Sequence, residues 1–137
     1  MFDAGLPKRF VPYLVSVLRV VAAILFFEHG TEKLFDFPSS HNLAVSLSIY
    51  WFAGVIEMIG GGLVVLGLFT RPAAFIMAGE MAVAYWMMHA PISPFPTINN
   101  GDAAILFCFV FLFLSAAGGG AWSLDRLLNP AQPGTTT

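Results

Sequence analysis

The stretch from Ile49 to His89 reads IYWFAGVIEMIGGGLVVLGLFTRPAAFIMAGEMAVAYWMMH. Two apolar runs meet at a short basic turn, Thr70-Arg71-Pro72. Each run holds one carboxylate, Glu57 in the first and Glu80 in the second. At 1.5 Å per residue, each run is long enough to cross a bilayer core of about 30 Å with its flanks. A charge at that depth costs about 2.5 kcal/mol or more and marks a site by default. The two glutamates are therefore the first candidates for function.

The composition leads to the same solvent. Of 137 residues, 58% are hydrophobic and 10% charged, where soluble domains carry about 25% charged residues. So few charges cannot cover a water-facing surface, which makes the bilayer itself the first partner. The net charge is -2 and no basic patch exists, which argues against nucleic acid. The single cysteine, Cys108, lies mid-run, so there is no internal disulfide and no dithiol pair. It reads as an inert small apolar residue. No motif for zinc, flavin or haem is present.

Working outward, the first helix is expected over residues 11–28, with Pro12 in its first turn and Gly30 as its stop. Lys8 and Arg9 before an apolar run have the outline of a signal peptide. Arg19 interrupts that run, and no small-residue cleavage site follows, so the helix is expected to be retained. Further helices are expected over 49–69, 72–88 and 103–118. Gly61 and Gly62 are expected to allow close helix contact in the second, and Ala74, Ala78 and Ala82 in the third. Prolines and Asn99-Asn100-Gly101 are expected to keep residues 89–102 irregular, with Asn100 or Asp102 capping the last helix. One or two surface turns follow near Leu124. Residues 1–128 form one transmembrane domain, and residues 129–137 are expected to be a disordered tail.

The expected fold is thus an all-α, integral membrane four-helix bundle. Four crossings put both ends on one side. Lys8, Arg9, Arg71 and Arg126 gather there, and only Lys33 lies opposite, which places the N and C termini in the cytoplasm. Tyr13 and Trp122 fall at the inner interface, and Trp51 and Trp86 at the outer one.

Counting residues from the cytoplasmic helix ends puts Arg19 and Glu80 each roughly 12 Å deep and Glu57 roughly 18 Å deep. The three are expected to form one buried Arg/Glu cluster. Its surplus negative charge would be balanced by a proton, a cation or a ligand donor. The alternative is that they only pin the bundle together. A second polar group, Glu28, His29, Glu32, His41, His89, Asn99, Asn100 and Asp102, is expected at the outer mouth, with Glu32 and His41 as solvated rim. His29 and His89 end neighbouring crossings, but their spacing specifies no metal.

With these residues in view, the chain is similar to the DoxX family of small bacterial membrane proteins over roughly Leu14 to Asp125. The resemblance is carried by Arg19, His29-Gly30-Thr31-Glu32-Lys33-Leu34, Glu57 with Gly60-Gly61, Gly67-Leu68-Phe69-Thr70-Arg71, Glu80-Met81, Asn100-Gly101-Asp102, and Gly118-Gly119-Gly120 through Ser123-Leu124-Asp125. Asp102 stands where many members have glutamate. The resemblance implies a multi-pass protein of the bacterial inner membrane. Some members are subunits of a thiosulfate:quinone oxidoreductase, others belong to oxidative-stress systems, and many have no known activity.

Three functions follow as expectations. The first is a quinone-linked redox membrane subunit, with Glu57, Glu80 and Arg19 as catalytic candidates and His29, Lys33, Asn100 and Asp102 as cofactor-binding candidates. Its electrons would come from a redox partner subunit or a soluble donor, and oligomers of the chain are compatible with it. The second is a small transporter or binder of an ion or metabolite. The third is a non-catalytic membrane anchor or assembly factor for a redox complex.

Overall fold

Pro12 occupies the second position of the first helix, where a missing N–H costs nothing. This computed structural model describes residues 7–39, 41 and 43–130. Helix α1 runs Val11–Phe35, seven residues beyond the expected end. Gly30 does not stop it. A Cβ there would lie 2.7 Å from the Met58 amide nitrogen and 2.9 Å from the Gly54 carbonyl oxygen. The glycine is used for close backbone approach to the next helix, and the helix ends instead at Asp36, which has a left-handed φ of 54°.

Helix α2 is Ile49–Leu66, and the Ser48 hydroxyl accepts from the Trp51 N–H at 3.1 Å to cap it. It ends before residue 69 because Gly67 turns left-handed (φ 68°), with the Leu68 N–H returned to the Leu63 carbonyl at 2.9 Å. Helix α3, Thr70–Ala84, follows within three residues and continues into a π-helical turn, Tyr85–His89. A single turn α4, Pro96–Asn99, corrects the expectation of an irregular loop. Its proline sits at the permissive start, and the buried Asn99 amide donates to Ser93 O (2.8 Å) and accepts from Gly101 N–H (2.8 Å). Helix α5 is Asp102–Ala117, without a side-chain cap, and α6 is the short Leu124–Leu128. Of the tail expected to be disordered, residues 131–137 lie outside the described residues.

No strand occurs among the described residues. Helix α1 lies along α2, and α3 along α5, with the two pairs joined chiefly through α2 and α3 and more lightly through α1 and α5. The core holds small residues from α1 and α3 (Ala22, Ala23, Ala74, Ala78), with Phe26, Met77, Phe111 and Leu114 filling the centre. Phe26 meets Phe111 edge-on at 4.8 Å. Gly61 packs on the stem of Phe27, where a Cβ would lie 3.0 Å from the Phe27 Cβ and 3.1 Å from its backbone. Gly62 has no such neighbour nearer than 3.8 Å, so only the first of the two glycines has the expected contact role.

The outside of the molecule is apolar. Val21, Ile59, Phe75 and Phe109 are each more than half exposed, one from each long helix. Two helices, the segment Lys8–Phe35 and α2, are long and apolar enough to cross a membrane, and α5 is a shorter apolar helix.

Candidate functional site

The extra turns of α1 carry Lys33 past Gly30 to face α2. Its Nζ meets Glu57 Oε1 at 2.5 Å, and both side chains are largely buried. The ammonium also lies 4.7 Å from the Tyr50 ring centre. Glu57 is 1% exposed, and its second oxygen, Oε2, has no hydrogen-bond partner in the protein. On α3, Glu80 is half-buried and neither of its carboxylate oxygens has a partner.

Two cavities meet at this pair. A groove of about 300 Å³ runs between α2 and α3, walled by Phe52, Ile56, Ile76 and Val83, with Lys33, Tyr50 and Glu80 as its polar lining. A second cavity, about 430 Å³, lies at the end of the molecule formed by the long loops. Its polar lining is His29, Glu32, Lys33, Tyr50, Glu57, His89, Asn99 and Asn100. Lys33 and Tyr50 belong to both.

The structure therefore gathers Glu57, Glu80, His29, Lys33 and Asn100 around two adjoining cavities. Asp102 stays outside, exposed in the first turn of α5 and lining neither of these cavities. His29 Nδ1 sits 3.6 Å from Glu32 Oε2, so Glu32 is a partner for His29 rather than plain rim. His89 Nδ1 is 2.9 Å from the Asn99 carbonyl oxygen. His41 is exposed as expected. Among the described residues no three His, Cys, Asp or Glu side chains converge on a possible metal site.

Arg19 corrects the expectation of a buried Arg/Glu cluster. Its Nε donates to Gly119 O (2.8 Å), Nη1 to the carbonyls of Val64 and Val65, and Nη2 to Trp122 O (2.7 Å). Those carbonyls belong to the last turn of α2 and to the chain after α5. Glu57 lies seven residues back along α2 from Val64, roughly 10 Å away along the axis. Ser16 joins the same centre, accepting from Trp122 N–H at 3.0 Å and donating to Pro12 O. Asp125 accepts from the Phe69 and Thr70 N–H groups, both at 2.8 Å, and caps α3 across space. Its partial burial works to raise the carboxyl pKa. Hydrogen bonds from Thr70 and Phe69, with the Arg19 charge, outweigh this and hold it below the ordinary aspartate value. Arg71 donates to the carbonyls of Ser115 and Ala116 at the end of α5.

The DoxX family model matches residues 14–90, which include Arg19, Lys33, Glu57 and Glu80. The chain belongs to the DoxX family. It is 43% identical over 125 residues to an uncharacterised protein of Haemophilus influenzae, covering 87% of this chain and 93% of that one. It is 30% identical to the inner membrane protein YphA of Escherichia coli over 91% of this chain and 95% of the relative. The inner membrane protein YqjF of the same organism is 28% identical, over 84% and 92%. No solved structure gives a significant match.

In this DoxX-family chain the two charged centres have different chemistry. Around Arg19 the guanidinium N–H groups are taken up by carbonyls of the chain, so the arrangement pins elements together. Around Lys33, three carboxylate oxygens face cavities without protein partners. Tyr50 and the Lys33–Glu57 pair escaped the sequence reading. Their signal was the opposite charge of Lys33 and Glu57 on adjacent apolar helices, which is readable only once α1 is known to continue through Gly30.

Proposed function

We propose that the protein is a multi-pass inner-membrane protein, with four crossings and both termini cytoplasmic, that binds a membrane-soluble quinone in the α2–α3 groove as the membrane subunit of a redox system. The observation carrying this reading is Glu80, a carboxyl with no protein partner at the polar end of an apolar groove on the side of the molecule. A quinone has matching halves. Its ring and tail are apolar, and its carbonyl oxygens need donors. The Phe52, Ile56 and Ile76 wall suits the former. Protonated Glu80, Tyr50 and Lys33 can supply the latter. Quinone reduction takes two electrons and two protons. The chain's own residues would hold the ring and deliver protons at its carbonyls, and a partner subunit or soluble donor would supply the electrons. The exposed apolar side chains on four helices, the basic residues at the tail end and the relatives' inner-membrane names support the topology.

Titration of the purified protein with a short-chain quinone should quench Trp51 and Trp86, which flank the groove in sequence on α2 and just after α3. Glu80→Leu should weaken binding about tenfold, the loss of one good hydrogen bond. Protein that neither carries nor binds quinone would refute the reading. The topology is checked separately: Thr97→Cys should react with an impermeant maleimide added outside cells whose outer membrane has been made permeable. Labelling only after the inner membrane is broken would overturn it.

A further inference from the structure

The loop-end cavity and the groove share Lys33, Tyr50, Met81, Ala84 and Met88 in their walls, and Lys33 carries the ion pair with Glu57, which lines the cavity. Glu57 has Oε2 buried and without a protein partner, and its Oε1 is held by Lys33. Lys33 also lines the groove that contains Glu80. Glu57 and Lys33 both act electrostatically on Glu80. The groups facing this path can be named from each element. Helix α1 contributes His29, Glu32 and Lys33, α2 contributes Tyr50 and Glu57, α3 contributes Glu80, and the π-helical turn contributes His89. Helix α5 contributes only Ala103, Ala104 and Phe107 to the cavity wall.

We infer that Glu57 and Lys33 form a proton relay that connects water at the loop end to Glu80 in the groove. The inference rests on the proposed quinone reading for its purpose but on the two cavities for its geometry. Each passage moves one proton and no electrons. Lys33 and Glu80 are not in hydrogen-bond contact, so the Lys33 ammonium gives its proton to the Glu80 carboxylate through a bridging water in the groove that both line and becomes a neutral amine. Glu57, having taken a proton from cavity water, returns it to Lys33 and becomes a carboxylate again. Two passages supply the two protons of quinone reduction, and quinol oxidation runs the same path backwards. The loop end is the periplasmic end in the proposed topology, so protons would be exchanged on that side alone.

The test uses the full chain in membrane vesicles of both orientations, right-side-out and inside-out. The probe is dicyclohexylcarbodiimide, an apolar reagent that reaches carboxyls from the lipid and reacts with their protonated form. Modification of Glu80 is read by mass spectrometry. When the bath is taken from about pH 6 to about pH 9, labelling should fall at least about threefold where the loop end faces the bath and stay constant where it faces the lumen, as protonation is lost with rising pH. Lys33→Arg is the decisive variant. Arginine keeps the charge pair with Glu57 but does not release its proton. It should retain the wild-type melting temperature and lose the response to loop-end pH. Glu57→Gln should lose the response too, at a lower melting temperature because Lys33 is left without its counter-charge. Labelling that follows the tail-end pH, or a full response in Lys33→Arg, would overturn the relay. Quinone quenching is measured in the same vesicles. Labelling that tracks loop-end pH without quinone binding would support the relay and sink the quinone reading. Binding without tracking would do the reverse.

Discussion

Replacing Arg19 with methionine tests whether this buried guanidinium is a structural tie rather than a member of the glutamate site. The substitution keeps an apolar stem of similar length and removes donors from four carbonyls, those of Val64, Val65, Gly119 and Trp122. A hydrogen bond to a charged group contributes about 1.5–3 kcal/mol, so four at the low end come to about 6 kcal/mol. Burying the ion costs several kcal/mol, which the substitution recovers. The net loss is then about 3 kcal/mol, a sizeable part of a total stability of about 5–15 kcal/mol. For a chain this long that lowers the melting temperature by roughly 10 °C. Lysine should recover only part of it, since a single ammonium cannot span the set that the planar fork reaches.

The assay is thermal unfolding in detergent, followed by circular dichroism, for wild type, Arg19→Met, Glu80→Gln and the double variant. Because Arg19 and Glu80 have no shared partner, the two effects should add to within about 0.5 kcal/mol. An Arg19→Met protein melting within a degree or two of wild type would refute the structural role. A coupling well above that limit would return Arg19 to the glutamates.

Other outcomes follow from single contacts. Gly30→Ala places a methyl against the α2 backbone and should cost about 1–3 kcal/mol, whereas Gly79→Ala, with nothing within 4 Å, should be neutral or gain up to about 1 kcal/mol. Gly61→Leu should lower the melting temperature far more than Gly62→Leu, and equal effects would remove the Phe27 contact from the account. Asp125 has a depressed folded pKa, so its contribution is present above its unfolded value, about 3.9, and is lost as pH falls through the lower folded value. Asp125→Ala should therefore cost about 1 kcal/mol at neutral pH and nothing in strong acid, read from melting curves across that range. Glu57→Leu alone should destabilise through a stranded Lys33, and adding Lys33→Met should restore most of the loss.

The helices were legible because each apolar run is bounded by glycine, proline or charge. The prolines after His89 marked the second loop, whereas Gly67 read as part of a helix reaching residue 69 and in the structure ends α2. Gly30 misled because a glycine serves equally as a stop and as a place of close approach, and only the position of Gly54 and Met58 decides which. The partners of Arg19 misled for a different reason. Carbonyl groups leave no trace in a sequence, so the only visible counter-charges were Glu57 and Glu80. Helical side chains also lean toward the helix N-terminus. Arg19 leans toward the tail end and reaches the α2–α3 turn. Glu57, on the antiparallel α2, leans the other way, toward the loops. Lys33 leans back along α1 to meet it. Depth counted at Cα positions missed this divergence because arginine and lysine stems carry their charges several ångströms from the backbone.

The two ends of the molecule differ in how they hold their charged groups, although the buried Thr70 hydroxyl at the tail end also has no partner, and this yields a prediction about the groove. At the tail end, Arg19, Ser16 and Asp125 have their hydrogen bonds made by the chain. At the loop end, Glu57 Oε2 and both oxygens of Glu80 do not. An unmatched buried polar group costs about 1–3 kcal/mol, so a carboxyl kept in this state lowers the stability of the free protein. Glu80→Leu removes the unmatched group and leaves an apolar side chain among Ile76, Val83 and the lipid-facing wall. The variant should melt above wild type by a few degrees in the absence of ligand, and added quinone should raise its melting temperature less than that of wild type. A Glu80→Leu protein that melts below wild type would mean that Glu80 is held by contacts within the fold. It would then be a structural group, and the groove would lose the donor on which quinone binding depends.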